Sequence, residues 1–152
     1  MTLFIFSLSH SRITARTHLE NPGIYSQPGG AFEVSARTSN SPIYLTFPTS
    51  PQISYLKLDA RTSNANAAVD LNSAFEGMWS VVTSEDVGVP NILPRTDSID
   101  PTGRGRRRTN FVSRLDKGRG EGKITWGESK EHMAHYGLVE VRTSHAQINL
   151  TY

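Results

Sequence analysis

Apolar residues recur at every second position through five stretches: Ile13/Ala15/Thr17, Phe32/Val34/Ala36/Thr38, Leu56/Leu58/Ala60/Thr62, Phe75/Gly77/Trp79/Val81/Thr83 and Val139/Val141/Thr143. The alternate positions carry Arg12, Thr14 and Arg16, then Glu33, Ser35 and Arg37, then Lys57, Asp59 and Arg61, then Glu76, Met78 and Ser80, and finally Glu140 and Arg142. Successive side chains of a strand point to opposite faces, so each stretch is predicted to be a half-buried strand with one wet face. Each ends on a variant of one phrase: Ala15-Arg16-Thr17, Ala36-Arg37-Thr38-Ser39-Asn40, Ala60-Arg61-Thr62-Ser63-Asn64, Val82-Thr83-Ser84 and Val141-Arg142-Thr143-Ser144. A polar break and a second apolar series follow, namely Ile43/Leu45/Phe47, Ala67/Val69/Leu71 and Ile148/Leu150/Tyr152.

Ser and Asn side chains bond nearby backbone groups, so the repeated phrase predicts a corner at which the backbone stays satisfied where the strand bends. Its Thr ends the inward series, its Arg faces out and its Ser-Asn turns. The repeated threonines are 21 (17 to 38), 24 (38 to 62), 21 (62 to 83) and 60 (83 to 143) residues apart. Two strands and two corners occupy about 22 residues, which is one coil of a short β-solenoid or one hairpin of a flattened β-sandwich. The long interval holds two more strands, around Asn110–Leu115 and Lys123–Trp126, joined through Lys117–Gly122 as a mobile hairpin loop. Glu128–His135 has room for one or two helical turns, too few to change the class. The chain is therefore expected to be all-β, with about ten strands.

The chain has 152 residues, 36% hydrophobic and 20% charged, which bounds it to one compact domain on the polar side of globular. Residues 11–152 form that β-repeat domain, with 91–110 as a Pro/Arg-rich connection, and residues 1–10 are a first strand or the stub of a longer segment. Lys+Arg number 16 against 14 Asp+Glu, so a net charge of +2 gives no chain-wide reason to expect nucleic acid or an anionic membrane. No cysteine is present, which removes disulfides, thiolate nucleophiles and thiolate metal sites. The apolar Leu3–Leu8 run is too short to span a membrane and lacks the basic lead of a signal peptide. The compartment stays open between cytoplasmic and membrane-associated through an upstream segment, with secretion third.

The repeats at Ala36–Asn40 and Ala60–Asn64, Phe75-Glu76-Gly77 leading to Val82-Thr83-Ser84, the Gly103–Arg108 run, Gly122–Trp126 and Val139–Leu150 together carry a resemblance. Over residues 31–152 the chain resembles an uncharacterised domain common in basidiomycete fungal proteins, itself similar to bacterial adhesin-like repeat domains with Thr-Ser-Asn-Gly phrases. The resemblance implies a β-solenoid-like or flattened two-sheet repeat without catalytic residues. Here Ser41 and Ala65 replace the Gly after Thr-Ser-Asn, which implies wider corners, and the part before residue 31 is short and degenerate.

The main charged feature is Arg104, Arg106, Arg107 and Arg108, followed by Arg114, Lys117 and Arg119. A flexible Gly-Arg run can follow a phosphate backbone with salt-sensitive affinity, while the bland expectation is a solvated loop paired with Asp97, Asp100 and Asp116. No aromatic residue interrupts the run, so a stacking platform for single strands is missing. If repeat units stack in register, Arg16, Arg37 and Arg61 line up about 4.8 Å apart, with Arg142 closing the row. Such a row needs counter-charges, either Glu33, Asp59 and Glu140 or an external polyanion.

The remaining signals are weak. His132 and His135, beside Glu128 and Glu131, have the spacing of two metal ligands on a helical turn but lack a third, and read as solvated residues. Gly118-x-Gly120-x-Gly122 joins two strands and opens no helix, so it is not a nucleotide loop. The carboxylates Glu33, Asp59, Asp70, Glu76 and Glu140 are scattered singly and make no acid/base pair. Trp79 and Trp126 belong to the core rather than a sugar site, and Asn149-Leu150-Thr151 is a glycosylation sequon that matters only in a secreted chain.

The expected role is a non-catalytic structural or adhesion-like scaffold, with no cofactor or metal. A polyanion-binding module is the alternative and a carbohydrate-active enzyme the third. Expected partners are a protein or cell surface, a polyanion, or a second copy of the chain paired through a strand edge, because an open stack leaves unpaired strands at its ends. The Leu3–Leu8 strand and the Asn110–Trp126 hairpin are the two segments able to cap those ends.

Overall fold

The alternating strands form two sheets that enclose one apolar layer. The computed structural model describes residues 1–20, 29–51, 54–96, 99–127 and 136–152. In chain order the strands are β1 (Thr2–Ser7), β2 (Ile13–Arg16), β3 (Gly30–Arg37), β4 (Ile43–Thr46), β5 (Ser54–Arg61), β6 (Ala67–Asp70), β7 (Gly77–Val82), β8 (Asn91–Leu93), β9 (Arg108–Asp116), β10 (Arg119–Trp126), β11 (Gly137–Arg142) and β12 (Ile148–Thr151). A 3-10 turn, Glu85–Val87, lies between β7 and β8. The larger sheet has seven strands in the order β1-β3-β5-β11-β7-β10-β9, and the smaller has five in the order β2-β4-β6-β12-β8.

Each inward residue stacks on its counterpart in the next unit. Val34 pairs with Leu58, Leu58 with Val139 and Val139 with Trp79, and beside that row Ala36, Ala60, Val141 and Val81 form another. Ile43, Ala67 and Ile148 align likewise in the smaller sheet, and all of these side chains are buried. Every pairing is parallel except those of β10, which runs antiparallel to both β7 and β9.

The order of units in space is not their order in the chain. The last unit, β11 and β12, lies between β5/β6 and β7/β8 in both sheets. Glycine makes this insertion sterically feasible. Gly137 and Gly77 are register partners, and a Cβ on Gly77 would lie 2.3 Å from the Gly137 carbonyl oxygen. A Cβ on Gly137 would lie 2.7 Å from the Phe75 ring and 2.8 Å from the Leu56 carbonyl oxygen.

Two expectations change. Ala15-Arg16-Thr17 is not the first copy of the corner phrase, because Ile13 pairs with Ile43 and Ala15 with Leu45 in the smaller sheet. Its place in the larger sheet is taken by Phe6-Ser7, which pairs with Ala36-Arg37. Parity assigns a residue to the core or to solvent, but both sheets share that parity. Secondly, Lys117–Gly122 is not a loop. The turn is confined to Lys117-Gly118, with Gly118 at φ 77, and Gly120 and Gly122 are buried in β10. Their faces are bare because the Trp79 ring occupies the space, and a Cβ on Gly122 would meet that ring at 2.5 Å. Within residues 1–10, β1 pairs along its whole length with β3. The connection 91–110 likewise begins as β8, paired with β12.

Candidate functional site

The outer face of the larger sheet carries the arginine row. Arg37 pairs with Arg61 and Arg61 with Arg142, while Ser7 holds the position before Arg37 and Val82 the position after Arg142. Arg16 lies outside the row, on β2 opposite Thr46. Side chains on the same face, two residues earlier in each strand, supply the counter-charges. The Asp59 carboxylate accepts from Arg37 Nη2 at 2.7 Å and from Arg61 Nε at 2.6 Å. Arg142 lies 3.6 Å from Glu140, and Lys57 donates to Glu33 at 2.7 Å.

Burial alone would raise Asp59, but the hydrogen bonds and charges of Arg61 and Arg37 outweigh it and hold the carboxyl below its ordinary range. The hydrogen bond and charge of Glu33 raise Lys57 in the complementary direction. Farther along the sheet, Arg119 binds Glu121 at 2.5 Å and Arg114 binds Asp116 at 2.7 Å. Exposed pairs of this kind add little net stability, because solvent screens them. Their main consequence is neutralisation, since like charges one strand apart would otherwise repel.

The basic run divides into two structural and two solvent-facing arginines. Asp100 is buried and organises the loop: its carboxylate accepts from the backbone N–H groups of Thr102, Arg104 and Arg106 at 3.0, 3.1 and 2.8 Å. It also accepts from the Thr102 hydroxyl at 2.8 Å and from Arg106 Nη2 at 3.1 Å. Gly103 and Gly105, both at φ 69, let the chain wrap around the carboxylate. Arg106 continues toward Glu76, 4.0 Å away, and Glu76 accepts from the Trp126 backbone N–H at 2.7 Å.

The Arg108 guanidinium lies 5.8 Å from the Trp126 ring centroid and 5.8 Å from that of Tyr152. Burial lowers Arg108 and raises the Tyr152 phenol relative to their ordinary values. The side chains of Arg104 and Arg107 are exposed and make no ion pair among the described residues. Asp116 pairs with Arg114 rather than with the basic run, and Asp97 lies outside the described residues.

Burial of Asp100 would raise its pKa, but the hydrogen bonds from Arg106 and Thr102 outweigh this and depress it strongly. A carboxyl depressed by folding contributes stability above its unfolded pKa, near about 4, and loses that contribution as pH falls toward the folded value. Urea midpoints of the wild type should therefore fall more steeply below about pH 4 than those of Asp100→Asn, which should be the less stable protein at neutral pH. Parallel pH profiles would count against this role for Asp100.

The repeated phrase forms stacked corners. Thr38, Thr62, Thr83 and Thr143 are all buried, and their hydroxyls serve the backbone of a neighbouring corner or, for Thr143, of its own. Thr38 donates to Ser9 O at 3.4 Å and Thr62 to Ser41 O at 3.2 Å, while the Thr83 and Thr143 hydroxyls converge on Ala146 O at 2.9 and 2.5 Å. The backbone N–H of Ser63 donates to Ser39 O, that of Ser144 to Ser63 O, and Asn64 Nδ2 to Asn40 Oδ1 at 2.7 Å. Ser84 departs from the pattern because the 3-10 turn begins there.

Of the weaker signals, His132, His135, Glu128 and Glu131 lie outside the described residues. Among the described residues no three His, Asp or Glu side chains gather as metal ligands, and no helix is long and apolar enough to cross a membrane. Trp79 and Trp126 are both buried, and Asn149 accepts from Asn91 Nδ2 at 3.0 Å across the smaller sheet.

Sequence reasoning missed the Asp100 knot as an organised element. An Asp followed by Thr102, Gly103 and Gly105 is a turn signal that would have pointed to it. It also missed an open cavity of about 290 Å³ lined by Phe47, Asp70, Asn72, Ser73, Arg95 and Ile99, in which Arg95 donates to Asp70 at 2.5 Å. These residues come from four separate stretches, and no spacing signals their meeting. No family model, no curated protein and no solved structure matches this chain.

Proposed function

We propose that this chain is a non-catalytic structural scaffold, a short β-solenoid-like stack whose exposed surface is a regular polar lattice available for interaction. The observation that carries the reading is the mutual neutralisation of the outer face of the larger sheet. Asp59, Glu140, Glu33 and Glu121 are spent as counter-charges to Arg37 and Arg61, Arg142, Lys57 and Arg119, one pair beside the next. Carboxylates held in this way stabilise a stack rather than perform acid/base chemistry, which requires converging groups of separated pKa. Parallel in-register pairing of successive strand-corner-strand units and hydrogen-bonded corners support the solenoid form over a sandwich of hairpins. The resemblance to fungal and adhesin-like repeat domains belongs to the same proposal.

A polyanion-binding role has one specific observation in its favour, the exposed side chains of Arg104 and Arg107 in the loop after Gly103. Heparin chromatography separates the two. The scaffold reading expects elution at or below physiological salt, unchanged by Arg37→Ser with Arg61→Ser. Retention that falls steeply with salt and is lost in Arg104→Ser with Arg107→Ser would replace it with the polyanion reading.

A further inference from the structure

The two ends of the stack are built differently. At one end the β9–β10 hairpin closes the larger sheet, the Trp79 ring covers the bare faces of Gly120 and Gly122, and the outermost strand carries Arg108, Arg114 and Asp116. Its pairing also shifts register between Glu121 and Gly122. Charges and irregularities of this kind guard an edge strand against further pairing.

At the other end, among the described residues, β1 pairs with β3 on one side only, and β2 pairs with β4 on one side only. β1 carries no charged side chain and no irregularity. It is apolar on both faces: Phe4 and Phe6 pack against the core, while Leu3 and Ile5 point outward and are 53% and 66% exposed. In the adjoining strands the same outward rows carry Glu33 and Lys57, then Ser35 and Asp59. Apolar residues on both faces are the pattern of a strand covered on both sides. A groove of about 360 Å³ opens between β1 and β2, lined by Ile5, Phe6, Leu8, Arg12 and Ile13 among others.

We propose that this end pairs with a second copy of the chain, β1 against β1 in antiparallel register about a two-fold axis at Phe4. β1 is self-complementary in that register. Leu3 of one copy faces Ile5 of the other on the outer side, while Phe4 meets Phe4 and Thr2 meets Phe6 on the core side, so every residue keeps its face. The edge of β2 tolerates the approach because the Arg12 guanidinium turns back over the Tyr44 ring, 5.8 Å from its centroid. β1, six residues and about 20 Å long, and β2, four residues and about 13 Å long, set about 10 Å apart, present roughly 400 Å² per copy with their side chains. About 800 Å² in total lies below the roughly 1,000 Å² of a stable specific interface, so the dimer is expected to be weak and concentration-dependent. This inference goes beyond the scaffold reading and does not depend on it.

Light scattering on the full 152-residue chain across a micromolar concentration series tests the pairing. The mass should rise from 16.8 kDa toward twice that value. Leu3→Lys with Ile5→Lys should hold it at the monomer with unchanged circular dichroism, while Phe111→Lys with Val112→Lys at the opposite end should leave the dimer intact. A wild type that stays monomeric, a dimer that survives the β1 substitutions, or one lost through the β9 substitutions overturns the proposal. Should the lysine variant fail to fold, the cysteine-free chain permits a second route. Leu3→Cys with Ile5→Cys should cross-link into covalent dimers under mild oxidation, and a monomeric product overturns the proposal. Those outcomes leave the scaffold reading standing, since it falls on the heparin result.

Discussion

A chain that stops after Trp126 should fail to fold cooperatively, whereas one that lacks residues 1–29 should remain folded. In a stack whose spatial order followed the chain, losing the last unit would only shorten it. Here β11 and β12 lie between β5/β6 and β7/β8, so the truncation removes the middle of both sheets. Val139, Val141, Ile148, Leu150 and Tyr152 go with them, each no more than 1% exposed. At about 1.5–3 kcal/mol for each buried side chain the loss is on the order of 10 kcal/mol, comparable with the whole stability of a domain this size. Removing β1 and β2 takes away an end unit that, among the described residues, pairs on one side only, and leaves β3 and β4 as the new edge. Far-ultraviolet circular dichroism and urea titration of the two truncated chains check this. A sigmoidal urea transition in the chain ending at Trp126 would refute the central placement of the last unit.

The second large effect is expected at Trp79. Its side chain is 1% exposed, packs against the Tyr152 ring at 5.7 Å between centroids and covers the bare faces of Gly120 and Gly122. Trp79→Ala should cost about 3–5 kcal/mol, the loss of a buried aromatic ring together with the cavity it leaves. Gly122→Ala should cost about 3 kcal/mol for the opposite reason, since its Cβ would lie 2.5 Å from the Trp79 ring and 2.6 Å from the Phe111 carbonyl oxygen. Combined, the two should cost less than their sum, because removing the ring relieves one of the two clashes. A double-mutant cycle in urea, followed by circular dichroism, measures the coupling. Strict additivity would mean that the ring does not hold the glycine faces bare.

The candidate surface was partly readable. The Arg37, Arg61 and Arg142 row follows from counting residues back from each repeated Thr, and so does the proximity of Asp59 and Glu140, two positions earlier on the same face. That Ser7 rather than Arg16 precedes Arg37 does not follow, because a strand of either sheet shows the same alternation. The division of the basic run was hidden for a different reason. Arg106 and Arg108 are held by Asp100, Glu76, Trp126 and Tyr152, which stand at unrelated distances along the chain. Composition alone treats the four arginines of the run as equivalent.

What the sequence determined by itself is local. Alternation set which side chains face the core, the Thr-Ser-Asn phrase set where the strands turn, and the missing cysteines left packing and hydrogen bonds to supply stability. The tertiary structure decided which sheet each strand joins, the insertion of the last unit into the centre of the stack, and the contrast between a capped end and an open one. The physical reason is that face and turn depend on neighbours one to four residues away. Neighbours across the sheets are chosen by shape instead: Gly77 against Gly137, and Trp79 over Gly120 and Gly122, meet only when segments about 40 to 60 residues apart pack together.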